Sequence, residues 1–238
     1  ADSLDALRSR LDVPALRLQS FQIRDDEADP DLGFATIVAR LAEAGRVEAA
    51  FALVERRRGR ELADQMIRGL ALRRFADDTM RPAPVTPVAL SELQQSLGPA
   101  TALATYVTGR GGEPTTVFVI QAGGATTHRL PPIDSLTPAL SSFTSLVEQG
   151  DPAPAVAARL GRVLVGPLIA GLPAAVSRLV IVPDEGLYRL PFDALIVDPG
   201  QPILERFVTS LLPSATLLVR LRRLPSRQGA GLLAFGDP

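Results

Sequence analysis

Any chemistry this chain performs must come from a short supply of reactive side chains. Its 238 residues hold one histidine, His128, no cysteine and no lysine, since all 25 basic residues are arginine. A thiolate nucleophile, a His/Cys zinc site and a Schiff-base lysine are therefore excluded within it, and a serine triad would have to recruit His128. No serine or carboxylate stands in a sequence relation that marks His128 as a base. It lies in a short β-rich run, Thr126–Leu130, closed by Pro131 and Pro132, and reads as an ordinary strand-face or core histidine. Asp184 and Asp193 make a poor acid/base pair, because nothing around them in sequence implies an apolar pocket that would raise one carboxyl. The glycines of Gly109–Gly112 match no phosphate-binding spacing and no helix follows them, so they read as a hairpin turn. No catalytic residue, metal or cofactor is expected from these residues.

Charge narrows the partners. With 25 basic against 26 acidic residues the net charge is −1, too small to draw in nucleic acid or an anionic membrane over distance. The run Arg56-Arg57-Arg58-Gly59-Arg60 is interleaved with Glu55, Glu61 and Asp64, with Arg57/Glu61 and Arg60/Asp64 at helical i,i+4 spacing; it reads as a solvated helix face. Apolar stretches such as Val163–Leu172 are broken by Gly166 and Pro167 and fall short of the ~20 residues that span a bilayer. The chain opens at Ala1 without a basic segment followed by an apolar one, so the expectation is a cytoplasmic protein whose two ends look cut from something longer.

Several elements must position whatever site exists. Leu4, Leu7 and Leu11 have helical spacing, followed by an acidic loop over Arg24–Asp31. Phe34, Ile37, Val38 and Leu41 then form one helical stripe, Gly45 punctuates, and Val47, Phe51, Val54, Leu62 and Met66 continue a second helix. This hairpin is similar to one unit of a helical repeat whose neighbours would stack on both sides. Prolines between Arg74 and Pro87 forbid a continuing helix and place a linker at 78–88, between a helical segment at 1–77 and a second domain at 89–238. Ser91-Glu92-Leu93-Gln94 reads as a capping-box start of a short helix. The runs Ala102–Thr108, Thr115–Ile120 and Thr126–Leu130 predict an antiparallel meander. Helices are expected over Leu136–Glu148 and Ala153–Ala170, the second with Val156, Leu160, Val163, Leu164 and Leu168 on its apolar side. Arg178–Val182 is a continuous apolar run, the pattern of a parallel strand buried on both faces. Phe207–Leu212, an apolar helix at Leu217–Leu224 and a further strand at Gly231–Phe235 complete the reading. Ligands in open α/β sheets sit beyond the carboxyl ends of strands, which draws attention to Asp184–Arg189 and Gly236–Pro238.

Four short blocks carry a resemblance. Arg178–Asp184 with Gly186-Leu187, then Leu190-Pro191-Phe192-Asp193-Ala194-Leu195, then Leu211-Leu212-Pro213-Ser214-Ala215, and last Leu232–Pro238, stand in the order and form of the CHAT domain, the caspase-like domain associated with tetratricopeptide repeats. Gly45–Leu62 resembles the last repeat helix before such a domain, and Leu90–Tyr106 its entry. The resemblance implies an α/β caspase/hemoglobinase-like α/β/α sandwich, incomplete in this chain, preceded by a TPR-like hairpin and the meander. It implies a cysteine endopeptidase in active members, with a histidine base and a cysteine nucleophile on later strands, downstream of Pro238. On that reading the chain is a non-catalytic portion that cleaves nothing alone. A protein partner would bind the repeats, and the remaining CHAT segment would lie beside an exposed sheet edge. Asp184 and Arg189 flank the loop where caspase-like folds contact a substrate side chain, and either could recognise an oppositely charged peptide residue. Turn chemistry alone makes Asp184-Glu185-Gly186 a turn and Arg189 a surface charge. A second reading makes the chain part of an inactive CHAT-like scaffold that acts through its repeats and sheet edge.

Overall fold

The computed structural model describes residues 30–72, 86–198 and 201–223. The run Leu4–Leu11, most of the acidic loop, residues 78–85 of the linker and the expected strand and turn at Gly231–Pro238 lie outside the described residues.

The first two helices form the hairpin that the spacing predicts: α1 (Pro30–Glu43) and α2 (Val47–Leu72) are joined across Gly45, whose φ of +70° is the left-handed turn that glycine adopts without a Cβ penalty. A short helix α3 (Leu90–Ser96) leads into β1 (Thr101–Val107), β2 (Thr115–Gln121) and β3 (Gly124–Leu130). The capping-box reading is corrected here. The helix begins one residue before Ser91, with Ala89 as its cap and no side-chain cap bond, because Leu90 is drawn into the core and pulls the first turn forward.

Helices α4 (Thr137–Glu148), α5 (Pro154–Leu164) and α6 (Gly166–Ile169) follow, and then β4 (Arg178–Val182). The single helix expected over Ala153–Ala170 is two, broken at Val165: Pro167 has no amide hydrogen and is accommodated in the first turn of a new helix. Val156 and Val163 are only partly buried, whereas Ala157, Leu160, Gly161 and Leu164 make the buried stripe. Gly161 is required by proximity. A Cβ there would stand 2.2 Å from the carbonyl oxygen of Ile196, so α5 lies directly on β5 (Ile196–Asp198). The chain continues through β6 (Gln201–Pro202), α7 (Ile203–Arg206), β7 (Val208–Leu211) and α8 (Ala215–Arg223).

Five strands form one mixed sheet in the order β3-β2-β1-β4-β7. The meander is antiparallel, Leu103 facing Ile120 and Val117 facing His128. From β1 onward the pairing is parallel, Thr101 facing Arg178 and Arg178 facing Val208. Helices cover both faces. Ala102, Ala104, Tyr106, Leu179 and Ile181 pack with Leu160, Leu164 and Phe192 on one side. On the other, Leu103, Val107, Phe118, Val180 and Val182 pack with Val38, Phe51, Val54, Leu93 and Leu218. The result is an α/β/α sandwich in which the hairpin α1–α2 serves as part of one outer layer.

That placement alters the expected hairpin surface. Ile37, read as part of the inner stripe, is 53% exposed, and Ala35, Val38 and Ala39 are the described residues that α1 buries. One side of the hairpin is occupied by the sheet, so neighbours on both sides are not available to it. The physical reason is that the sheet offers a second apolar face that only helices can cover.

Candidate functional site at the carboxyl edge of the parallel strands

The sheet's parallel half directs the ends of β1, β4 and β7 to one edge. Each strand passes into a polar turn there: Thr108-Gly109 after β1, Pro183–Arg189 after β4, and Leu212–Ser214 after β7. Asp184 binds the first two together. Its Oδ2 accepts the Thr108 amide at 2.8 Å and the Thr108 hydroxyl at 3.0 Å. The next residue, Glu185, takes a left-handed φ of 44° and opens a 3-10 turn over Glu185–Arg189. Its carboxylate pairs with the Arg110 guanidinium, whose Nε lies 3.0 Å away.

The two sequence-predicted residues of this loop are not brought together. Asp184 faces α2, lining a small space with Phe34, Val54, Arg58, Glu61 and Val107. Arg189 faces the opposite side of the sheet, highly exposed, with a long 3.4 Å contact to Glu148 of α4. It borders an open groove of about 300 Å³ floored by Ile133 and Leu140, with Ser141 and Thr144 of α4 along one wall and Arg110 at an end.

Other residues of this edge were not singled out by the sequence. Within the basic run read as a solvated face, Glu55 is fully buried and Arg58 nearly so, which corrects that reading for both. Residues 51, 54, 55 and 58 fall at i, i+3, i+4 and i+7, so the stripe that buries Phe51 and Val54 must also bury Glu55 and Arg58. Their buried charges are met by partners, as the cost of burial demands. Arg58 donates to the carbonyl of Tyr106 at 2.6 Å and approaches that of Pro213 at 3.5 Å. Glu55 accepts from the amides of Ala215 at 3.2 Å and Thr216 at 2.8 Å, and from the Thr216 hydroxyl at 2.7 Å. Those two amides belong to the first turn of α8, where backbone donors lack helical partners and an anion is favoured. The expected solvated pair survives at Arg57, whose Nε meets Glu61 at 2.7 Å, and its guanidinium also stacks over Phe34.

Tyr188 completes the edge on the α2 side. Burial pushes its phenol upward, an effect increased by the charges of Asp184 and Glu61 and opposed by the Arg58 guanidinium. Tyr106, on β1, points to the other face and donates to the Leu164 carbonyl at 3.0 Å; burial raises its phenol far above the ordinary range.

His128 stands apart from all of this. It lies on the edge strand β3, separated from β1 by β2, with its Nε2 3.4 Å from the Thr126 hydroxyl. Partial burial lowers its pKa. Among the described residues, no group of three His, Asp or Glu side chains could hold a metal ion, and no helix is long and apolar enough to cross a membrane.

Comparison with known proteins adds one match: residues 154–238 fit the sequence model of the CHAT domain. The match spans α5 through β7 and α8, and so includes the loop that carries Asp184 and Arg189. No curated protein matches the chain.

Proposed function

From a CHAT domain over residues 154–238, which belongs to a caspase-like family, we propose that this chain supplies the non-catalytic part of a cysteine endopeptidase. Its catalytic cysteine and histidine come from a further CHAT segment downstream of Pro238. The observation that carries this reading is the conjunction of the match with a composition that holds no thiol and one remote imidazole. In the completed site the imidazole takes the proton of the thiol, and the thiolate attacks the scissile carbonyl. The residues of this chain bind and orient. Asp184 holds the turn after β4 against Thr108, and Arg189 stands beside the α4 groove, free enough of Glu148 to meet an acidic side chain of a peptide substrate.

In this reading residues 1–77 end a helical repeat array, 78–88 link, and 89–238 begin the CHAT-like domain, in a cytoplasmic setting. The inner stripe of the hairpin lies on the sheet, and its outer side, marked by Ile37, faces further repeats or a protein partner.

The test is peptide-bond cleavage by this chain together with its cysteine-bearing segment, compared with a Cys→Ala variant of that segment. Cysteine-dependent turnover supports the proposal. Its absence favours the second reading, an inactive CHAT-like scaffold that acts through its repeats and sheet edge.

A further inference from the structure

Among the described residues, Glu55 and Arg58 are the charged side chains that are buried, and both project from α2 of the hairpin. They stand one helical turn apart. Between them they reach every strand end of the parallel half: Arg58 holds the Tyr106 carbonyl near the end of β1 and approaches the Pro213 carbonyl before α8, Glu55 holds the first amides of α8, and Arg58 borders, with Asp184 of the loop after β4, the same small space. The chain of contacts continues through Thr216, whose hydroxyl accepts the Val88 amide at 3.1 Å just before α3.

Apolar packing alone would fix α2 on the sheet without dictating where these loops sit. Hydrogen bonds to charged groups are directional, and a lost partner leaves a buried charge uncompensated. We propose that Glu55 and Arg58 are positioning residues, through which the hairpin sets the placement of the three turns at 107–109, 183–189 and 212–216. This deepens the proposed function, since those turns border the site where a peptide would be held, and it requires no chemistry of either residue. A shift of α2 would then be felt at all three turns together.

Amide hydrogen exchange on the full chain reads the effect turn by turn. Arg58→Met is expected to speed exchange at 107–109, 184–189 and 214–217 by about tenfold, while β3, α4 and α5 keep their rates. Arg58→Lys, which keeps the charge without the planar fork, should give a smaller change at the same amides. Glu55→Gln, close in shape, serves if Arg58→Met does not fold, and is expected to act first at 214–217. A second readout is the phenolate absorbance of Tyr188, with Tyr106 silent because its burial holds it protonated. Loss of Arg58, which opposes the effects of burial, Asp184 and Glu61, should move the Tyr188 titration to higher pH, and Arg58→Lys should restore part of it. Uniform acceleration over both faces of the sheet, or unchanged rates at the three turns, would overturn the proposal. The readout needs no protease activity, so a failure to find cleavage leaves it standing.

Discussion

The two faces of the sheet are held by different means. On the side of α4, α5 and α6 the contact is built from Leu140, Phe143, Leu160, Leu164 and Phe192, and the buried side-chain hydrogen bonds there, from the Tyr106 hydroxyl to the Leu164 carbonyl and from the Gly109 amide to the Thr115 hydroxyl, involve uncharged groups. On the side of α2 and α8 an apolar stripe is interrupted by a carboxylate and a guanidinium that hydrogen-bond to backbone groups. Apolar contact is roughly proportional to area and indifferent to direction. A buried charge adds no such reserve of stability, yet it fixes which backbone atom sits where. The first face therefore contributes cohesion, and the second contributes geometry at the strand ends.

That contrast can be broken by mutation. Phe192→Ala, which empties a fully buried ring position beside Tyr106, is expected to cost about 3–5 kcal/mol in urea unfolding, with no preferential loosening at 214–217. Glu55→Ala should cost about 3 kcal/mol, and combining it with Thr216→Val should cost less than the sum of the two single changes, because both remove the bond between the Glu55 carboxylate and the Thr216 hydroxyl. A fully additive double variant would show that the buried carboxylate and the α8 terminus do not act as a unit.

Thr108→Val keeps the amide bond to Asp184 and removes the hydroxyl bond, so about 1 kcal/mol is expected in the same unfolding measurement. The smallest effect concerns His128. Its folded pKa lies below the unfolded value, so between the two the unfolded chain binds more protons and stability rises with pH. Acidification below about pH 6.5 should therefore cost a little stability, and His128→Gln should flatten that slope in pH-dependent melts.

The comparison also shows which features the sequence displayed. The strand at Arg178–Val182 was legible because burial on both faces demands an unbroken apolar run, and the meander because Gly111 and Gly112 announce a turn between two β-branched runs. The hairpin was legible from its spacing and from Gly45. Glu55 and Arg58 were not, although they occupy the same stripe as Phe51 and Val54. A charged residue in a run of charges is ordinarily solvated, and the partners that reverse this expectation, Tyr106, Pro213 and Thr216, lie far along the chain. The separation of Asp184 from Arg189 was hidden for a related reason. A 3-10 turn over five residues carries the chain from the α2 side of the sheet to the α4 side, and residue spacing does not record such a crossing. The split at Val165, by contrast, was announced by Gly166 and Pro167.

The position of β1 in the strand order also bears on how the molecule comes to be folded. The antiparallel partners of β1 follow it at once, within residues 101–130, so that half can assemble from neighbouring segments. Its parallel partner arrives only with Arg178, after three intervening helices. Closing that long segment carries an entropic penalty before any of its contacts can repay it, which makes such pairing slow. The meander is thus the natural template, and the β1–β4 pairing on which the carboxyl edge depends is expected to be among the later events of folding.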